Sequence, residues 1–296
     1  MRIVSLLPSA TEILYALDLG EELVGITHEC DWPPEARSKR IVSHSTLPTG
    51  SSPAEVDRLV SESLDGGTPI YRLDTEAIRE LRPDVVITQD LCAVCAVPSG
   101  HVHEALDLLG YPAEVVSLDP SSLDDVLDCI VQVGRVSATG GQAEAYVAQL
   151  QDRLERVKRS VAGHDRPRTF ALEWGDPPFN GGHWVPEMIE AAGGESLLGS
   201  HGTPSVRLTW ETIGAASPDA VVFMPCGYSL EAAIREGKAL MDRPELAGVE
   251  RFFAVDASAY FSRPGPRLVD GVELLAASLH PGCVEWVGPE GIARLR

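Results

Sequence analysis

The residues of this 296-residue chain best suited to chemistry are thiols and imidazoles gathered in a few short segments. The stretch "ITQDLCAVCAV" places Cys92 and Cys95 in a C-x-x-C pair directly after an apolar run, Cys30 follows another in "VGITHECDW", and Cys226 a third in "VVFMPCGY". His28, His101, His103 and His183 stand in or beside the same segments. Thiolates of this kind suit zinc or an iron–sulfur cluster, and a thiolate or imidazole can also reach the metal of a bound chelate. The candidate metal set is therefore His28, Cys30, Cys92, Cys95 and Cys226, with His183 a further donor toward a bound metal; Cys129 and Cys283 fall outside it. Three readings of the C-x-x-C pair stay open: small packed residues, a metal clamp, or a redox pair. A thioredoxin-type pair starts a helix between aromatic and proline flanks; "QDL" and "AV" enclose this one, which places the redox reading last.

Other constellations carry less. His101 and His103, two apart, make a poor local chelate, and Asp124, Asp125 and Asp128 read as an exposed helix face. Glu187 and Glu190 sit on a short amphipathic helix, Glu187 in the first turn where a carboxylate suits the helix dipole. The sequence has no G-x-S-x-G, Walker-type phosphate loop or G-x-G-x-x-G, and no cluster of histidines and carboxylates such as a metal hydrolase needs. The expectation is a binding protein rather than an enzyme.

The chemistry-bearing segments must be positioned by the elements before them. "RIVSLL" reads as a strand and "SATEILYALDLG" as a helix, with Ser9 and Glu12 forming an S-x-x-E capping box and Gly20 at the C-cap. "ELVGIT" and "RIVSH" read as strands, "TEAIRELRPDVVIT" as helix, proline break and buried strand, and "HVHEALDLLG" with "AEVVSLD" repeats the step. "SLDDVLDCIVQVGRVSA" closes this half as a helix. Strands separated by helices of this length indicate parallel βαβ units. Residues 142–162 differ: Tyr146, Leu150, Leu154, Val157 and Val161 form one narrow apolar stripe among charges. Some twenty helical residues extend about 30 Å, enough to span a small domain. The alternation then restarts with "RTFALEW", "VPEMIEAAGG" with Pro186 in its first turn, "PDAVVFMP", "SLEAAIREGKALM", "ERFFAVD" and "PRLVDGVELLAASLH". The spacing predicts an α/β lobe over 1–139, a connecting helix over 140–163, and a second α/β lobe over 164–296, each with a parallel sheet. Both contain a "PD-A/V-VV" strand after a helix, a hint of duplication.

Composition narrows the partners. An apolar fraction of 44% and a charged fraction of 23% are those of a soluble globular protein, and a net charge of −20 disfavours nucleic acid and anionic membrane surfaces. Nothing approaches the ~18 apolar residues of a membrane span. The opening run "IVSLLPSATEILYAL" carries Pro8 and Glu12 and lacks a small-residue cleavage site, so it does not read as a signal peptide. Without an export signal, six cysteines suggest a reducing compartment, and the expectation is a cytoplasmic protein.

The segments "RIVSLLPSATEILYALDLGEELVGITHECDWPPEA", "IRELRPDVVIT", "WGDPPFNGG" and "YFSRPGPRLVDGVELLA" resemble, in this order and over nearly the whole chain, the vitamin B12-binding members of the helical-backbone periplasmic-binding-protein superfamily. The resemblance implies two Rossmann-like lobes, a rigid connecting helix, and a ligand cleft between the lobes. The ligand it implies is a corrinoid such as cobalamin; related members take siderophores, haem or bare metal ions. Trp32 matches an aromatic position in "DWPP", Trp174 and Phe179 match the "WGDPPF" loop, and Tyr260, Phe261 and Arg263 match the last cleft loop. Ser9, Trp184 and Tyr228 complete the candidate ligand set, together with Gln89 and Asp90, which stand where the cobalamin binders carry a tryptophan. A flat, largely apolar ligand needs such aromatic faces with polar groups at its rim. Secreted members dock on an ABC permease through a glutamate on each lobe; the loop after Gln89 has diverged and offers no evident first-lobe counterpart. Two alternatives stay open: a metalloprotein whose cleft cysteines hold zinc or an iron–sulfur cluster, and an enzyme that reduces or removes a chelated metal.

Overall fold

A computed structural model of the chain describes residues 1–48, 53–66, 70–90, 97, 99–110 and 112–296. The chain divides into two compact units, one of Met1–Pro120 and Leu127–Val147, the other of Ser121–Val126 and Ala148–Arg296.

In the first unit, strands β1 (Ile3–Ser5), β2 (Leu23–Thr27), β3 (Arg40–Ser45), β4 (Tyr71–Leu73), β5 (Val85–Thr88) and β6 (Glu114–Ser117) form a sheet of order β4-β3-β2-β1-β5-β6. Helices α1 (Pro8–Ala16), α2 (Pro53–Gly66), α3 (Thr75–Leu81) and α4 (Ser99–Leu109) connect these strands, with α5 (Leu123–Val136) and α6 (Gly140–Val161) following β6. All pairings are parallel except β3 with β4. The central strands are short and mostly apolar, as suits strands covered on both faces. Val4, Leu6, Val42, Ile78, Val86 and Leu106 make one continuous core.

In the second unit, β7 (Arg168–Gly175), β8 (Pro178–Asn180), β9 (Glu195–Leu197), β10 (Ala220–Phe223), β11 (Arg251–Val255) and β12 (Ile292–Arg294) form a sheet of order β12-β11-β10-β7-β8, with β9 also paired to β7. Helices α7 (Val185–Ala191), α8 (Trp210–Ala215), α9 (Leu230–Leu240), α10 (Ala257–Tyr260) and α11 (Arg267–Leu279) accompany it. β7, β10, β11 and β9 run parallel, and β8 and β12 antiparallel. Phe170, Leu172, Phe223, Phe252 and Leu246 fill one of its cores.

The two sheets match the α/β plan read from the alternation, with antiparallel strands β4, β8 and β12 added. Those strands are three residues each, too short for an alternating pattern to register. The apolar stripe of α6 is real: Val147, Leu150, Leu154, Val157 and Val161 are buried, Tyr146 half-buried. The helix runs from the first unit into the second. Its Arg153 donates from Nε to Glu273 at 3.0 Å, and from Nη2 to Asp270 at 2.5 Å and to Glu273 at 2.6 Å, fixing α6 on α11.

The first helix departs from the reading. It begins at Pro8 with Leu7 at the N-cap and no side-chain cap, so Ser9 and Glu12 lie within the helix and are buried. It ends at Ala16, and Asp18, at φ 55°, rather than Gly20 makes the left-handed turn. The proline preset for a first helical position outcompetes the capping serine. A reciprocal box of the same chemistry occurs at α5 instead. The Ser122 amide donates to Asp125 Oδ2 at 2.9 Å, and the Asp125 amide to Ser122 Oγ at 3.1 Å. Asp125 is thus a helix-start acceptor rather than a member of an exposed acidic face, and the bonds from Ser121 hold its carboxyl below the usual range.

The repeated "PD" pair has a shared structural meaning. In the first unit Arg82, at φ 45°, ends α3, and the Asp84 carboxylate accepts from the Arg2 amide at 2.7 Å while the Asp84 amide donates to the Arg2 carbonyl at 2.7 Å. In the second, Ser217 at φ 49° precedes Pro218, the Asp219 carboxylate accepts from the Arg168 amide at 2.8 Å, and its amide donates to the Arg168 carbonyl at 2.8 Å. Each aspartate clamps the residue that opens the unit's central strand to the start of the neighbouring strand. The two units share this clamp.

Candidate functional site

In parallel sheets, ligands are taken at the loops beyond the carboxyl ends of the strands. In the first unit these loops hold His28, Cys30, Trp32, Gln89 and Asp90. Trp32 is 43% exposed. Cys30 is 3% exposed, its sulfur 3.0 Å from Thr11 Oγ1, which in turn donates to Ser5 Oγ at 2.9 Å. A thiol engaged beneath its own loop is packing, not an open metal ligand. His28 Nδ1 lies 3.2 Å from the Ser43 carbonyl and 3.3 Å from Thr27 Oγ1, with the ring stacked on His44 at 6.1 Å. Gln89 and Ser9 are buried. Asp90 is a brace: its carboxylate accepts from the Ser99 amide at 2.7 Å, Ser99 Oγ at 2.5 Å and Ser117 Oγ at 3.3 Å. Burial pushes its pKa up, but the bonds from Ser99 and Ser117 outweigh that and hold it low. Cys92 and Cys95 lie outside the described residues. His103 Nδ1 is 2.8 Å from the Ser99 carbonyl within α4, the helix that also carries His101.

The second unit offers a fuller site. β7 delivers Glu173 and Trp174 to the sheet end, β8 presents Phe179 and Asn180, and the turn after it contains Gly181, Gly182 and His183. The segment 203–208 is laid along β8. The Asn180 amide donates to the Val206 carbonyl at 3.2 Å, the Val206 amide to Asn180 Oδ1 at 2.6 Å, and the Leu208 amide to the Pro178 carbonyl at 2.8 Å. Asn180 Nδ2 also donates to the Leu198 carbonyl at 2.6 Å. Gly182 has no room for a side chain, since a Cβ there would sit 2.3 Å from the Ser205 nitrogen. The His183 amide donates to the Thr203 carbonyl at 2.6 Å and its carbonyl accepts from the Gly202 amide at 3.1 Å, fixing a left-handed turn at φ 52°. Burial lowers the pKa of the half-buried His183 imidazole.

Aromatic faces and carboxyl groups alternate here. Trp174 meets Tyr228 edge-on at 5.7 Å and 76°, and the Arg207 guanidinium sits 5.5 Å above Phe179. The Trp174 indole nitrogen is buried without a hydrogen-bond partner among the described residues. Glu173 accepts from Ser205 Oγ and the Gly182 amide; protein atoms pack densely around the carboxyl although the residue as a whole is half-buried, and this burial pushes its pKa up. Burial, then the charge of Glu236, raises Tyr228 to about 12, and burial raises Glu236, its hydrogen-bond partner. Trp184, Tyr260 and Phe261 turn inward. Trp184, 6% exposed, donates from Nε1 to the Phe261 carbonyl at 2.8 Å, and Phe261 is 1% exposed. Tyr260 packs edge-on against Trp286 at 5.8 Å, and Arg263 is half-buried in the loop before α11. Cys226 is exposed. Cys283 Sγ lies 3.5 Å from His164 Nε2, far along the chain from these loops.

Among the described residues, no three His, Cys, Asp or Glu side chains group as a metal ion would need. Glu187 Oε2 accepts from the Leu123 amide at 2.5 Å, and Glu190 pairs with His201 at 3.0 Å. Glu173, Asn180, Ser205, Arg207 and Glu236 were not singled out in the sequence. Glu173 had a signal, a carboxylate beside tryptophan near the end of an otherwise apolar strand; "TPSVRL" had none.

Residues 3–250 match the family described as periplasmic binding protein, and the chain belongs to that family. Among individual proteins it is similar to the vitamin B12-binding protein of Vibrio cholerae serotype O1, 24% identical over 286 residues covering 94% of this chain and 88% of that one. It is also similar to the uncharacterized ABC transporter substrate-binding lipoprotein YvrC of Bacillus subtilis, 26% identical over 288 residues, 95% and 80% of the two chains. Among solved structures, a periplasmic heme binding protein from Pseudomonas aeruginosa superposes with a TM-score of 0.72 at 20% identity, covering 99% of this chain and 97% of the other. The periplasmic vitamin B12 binding protein BtuF of Vibrio cholerae gives 0.68 at 24% identity, covering 94% and 96%. At these identities the structural likeness speaks for the fold. No helix among the described residues is long and apolar enough to cross a membrane.

Proposed function

We propose that this solute-binding protein takes a corrinoid of the cobalamin type, held on the carboxyl-end loops by aromatic faces and hydrogen bonds rather than transformed. The observation that carries the reading is the second unit's alternation of Trp174, Tyr228 and Phe179 with Glu173 and Glu236. Aromatic faces suit the broad apolar surface of any tetrapyrrole. The carboxyl groups offer acceptor oxygens to a rim of carboxamides, which donate hydrogen bonds, whereas the carboxylates of haem bring no such donors. A net charge of −20 acts in the same direction. The V. cholerae relative named as a vitamin B12-binding protein supports the ligand, and the B. subtilis relative supports an ABC permease as the receiving partner.

The test is a fluorescence titration with cyanocobalamin on the wild type and Trp174→Ala. Removal of one platform face is expected to weaken binding about tenfold or more, the equivalent of ~1.4 kcal/mol. Equal affinity in both proteins would remove the second-unit platform from the reading.

A further inference from the structure

We propose that His183 supplies a ring nitrogen to the axial position of the metal at the centre of the bound chelate. This rests on the reading of the ligand as a metal-bearing tetrapyrrole and names the protein atom that completes its coordination.

Three observations converge on this residue. His183 holds a left-handed backbone at φ 52°, a region that favours glycine, immediately after two glycines. A third glycine would relieve the strain; an imidazole stands there instead, and such an outlier points to a role for the side chain. The position is also pinned from both sides, by Thr203 and Gly202 across the loop, while the preceding Gly182 amide is held by Glu173. Lastly, the ring packs at 5.6 Å against Trp184, itself locked to the Phe261 carbonyl, yet neither ring nitrogen has a hydrogen-bond partner among the described residues. A half-buried imidazole so firmly positioned and so unengaged is a donor awaiting an acceptor.

Two of the competing donors among the described residues are occupied. His28 Nδ1 faces the Ser43 carbonyl and Thr27 hydroxyl, and Cys30 faces Thr11. Coordination by His183 is a simple exchange. The axial water leaves the metal, the imidazole lone pair forms the metal–nitrogen bond, and no electron moves. Cobalt in a corrinoid and iron in haem both accept such a donor. Glu173 acts as a positioning residue through Gly182.

The experiment is a visible-absorption titration of wild type, His183→Asn and His183→Ala with aquocobalamin, cyanocobalamin and haemin. Asparagine tolerates the left-handed backbone, so loss of signal in that variant does not come from the turn. With aquocobalamin the wild type is expected to show the band shift of imidazole replacing water. Both variants should bind about tenfold or more weakly without that shift, and added free imidazole should restore it. Cyanocobalamin, whose axial position is taken, should bind wild type and His183→Asn alike. Imidazole-type spectra with haemin alone, lost in His183→Asn, would support the donor role with iron as the metal. Aquocobalamin binding with identical spectra and affinity in wild type and His183→Asn would overturn the assignment while leaving the corrinoid reading intact. No binding of any of the three would withdraw both.

Discussion

Replacing Gly182 with alanine tests whether the turn and the segment laid along β8 are built as one piece. The added Cβ would lie 2.3 Å from the Ser205 nitrogen, 2.7 Å from the Pro204 carbonyl carbon and 2.8 Å from the Thr203 oxygen. All three are backbone atoms, so no rotamer change relieves the overlap, and segment 203–208 must move by roughly 1 Å to restore ordinary contact. That movement breaks or lengthens the bond from the His183 amide to Thr203, those joining Asn180 and Val206, and the one from Ser205 to Glu173. Losing two or three bonds worth about 1 kcal/mol each gives ~2–3 kcal/mol, within the range for overpacking a tight site. For a unit of this size each kcal/mol moves the midpoint by about 2–4 °C, so a drop of roughly 4–12 °C is expected by calorimetry. Gly248→Ala is the control, since its Cβ would meet nothing within 4 Å; it should stay within about 0.5 kcal/mol of wild type. A Gly182→Ala protein that melts with the wild type would refute the packing of segment 203–208 on the turn.

Two further outcomes follow from the same geometry. Asp219→Ala should cost about 2 kcal/mol, because its bond to the half-buried Arg168 amide is charge-assisted, whereas Asp84→Ala, acting on the exposed Arg2, should cost about 1 kcal/mol or less; chemical denaturation of the two variants checks the order, and a reversed order would contradict the shared clamp. Glu173 keeps its proton to higher pH folded than unfolded, so its contribution to stability is present below about pH 4.3 and is lost as pH rises through the folded titration. Glu173→Gln retains the acceptor oxygen without the buried charge, so its midpoint should gain on the wild type between pH 4 and 8; a constant difference across that range would show that the carboxyl is not held protonated by burial.

Much of the scaffold was legible because both sheets are built from strands and helices long enough to display their periods. The stripe from Leu150 to Val161 identified α6, and the apolar runs around Val86 and Val221 marked central strands. The short antiparallel strand β8 left no trace, and with it went the segment 203–208 that pairs with it. The aromatic residues were chosen by loop position, which cannot tell Trp174, half-buried beside Tyr228, from Trp184, locked inside by its bond to Phe261. Loop position is equally blind to where the Cys30 thiol points. Cys30 follows a strand as a ligand would, but its side chain turns under the loop to Thr11. Asp90 shares that fate, since a carboxylate near a helix start satisfies amides before it meets any ligand.

The central claim is tested most directly by equilibrium dialysis of the purified protein against cyanocobalamin, alone and with excess haemin. The account predicts saturable binding of one corrinoid per chain at micromolar or tighter affinity, little affected by haemin. Displacement of the corrinoid by haemin, or no retention of cyanocobalamin at all, would contradict it.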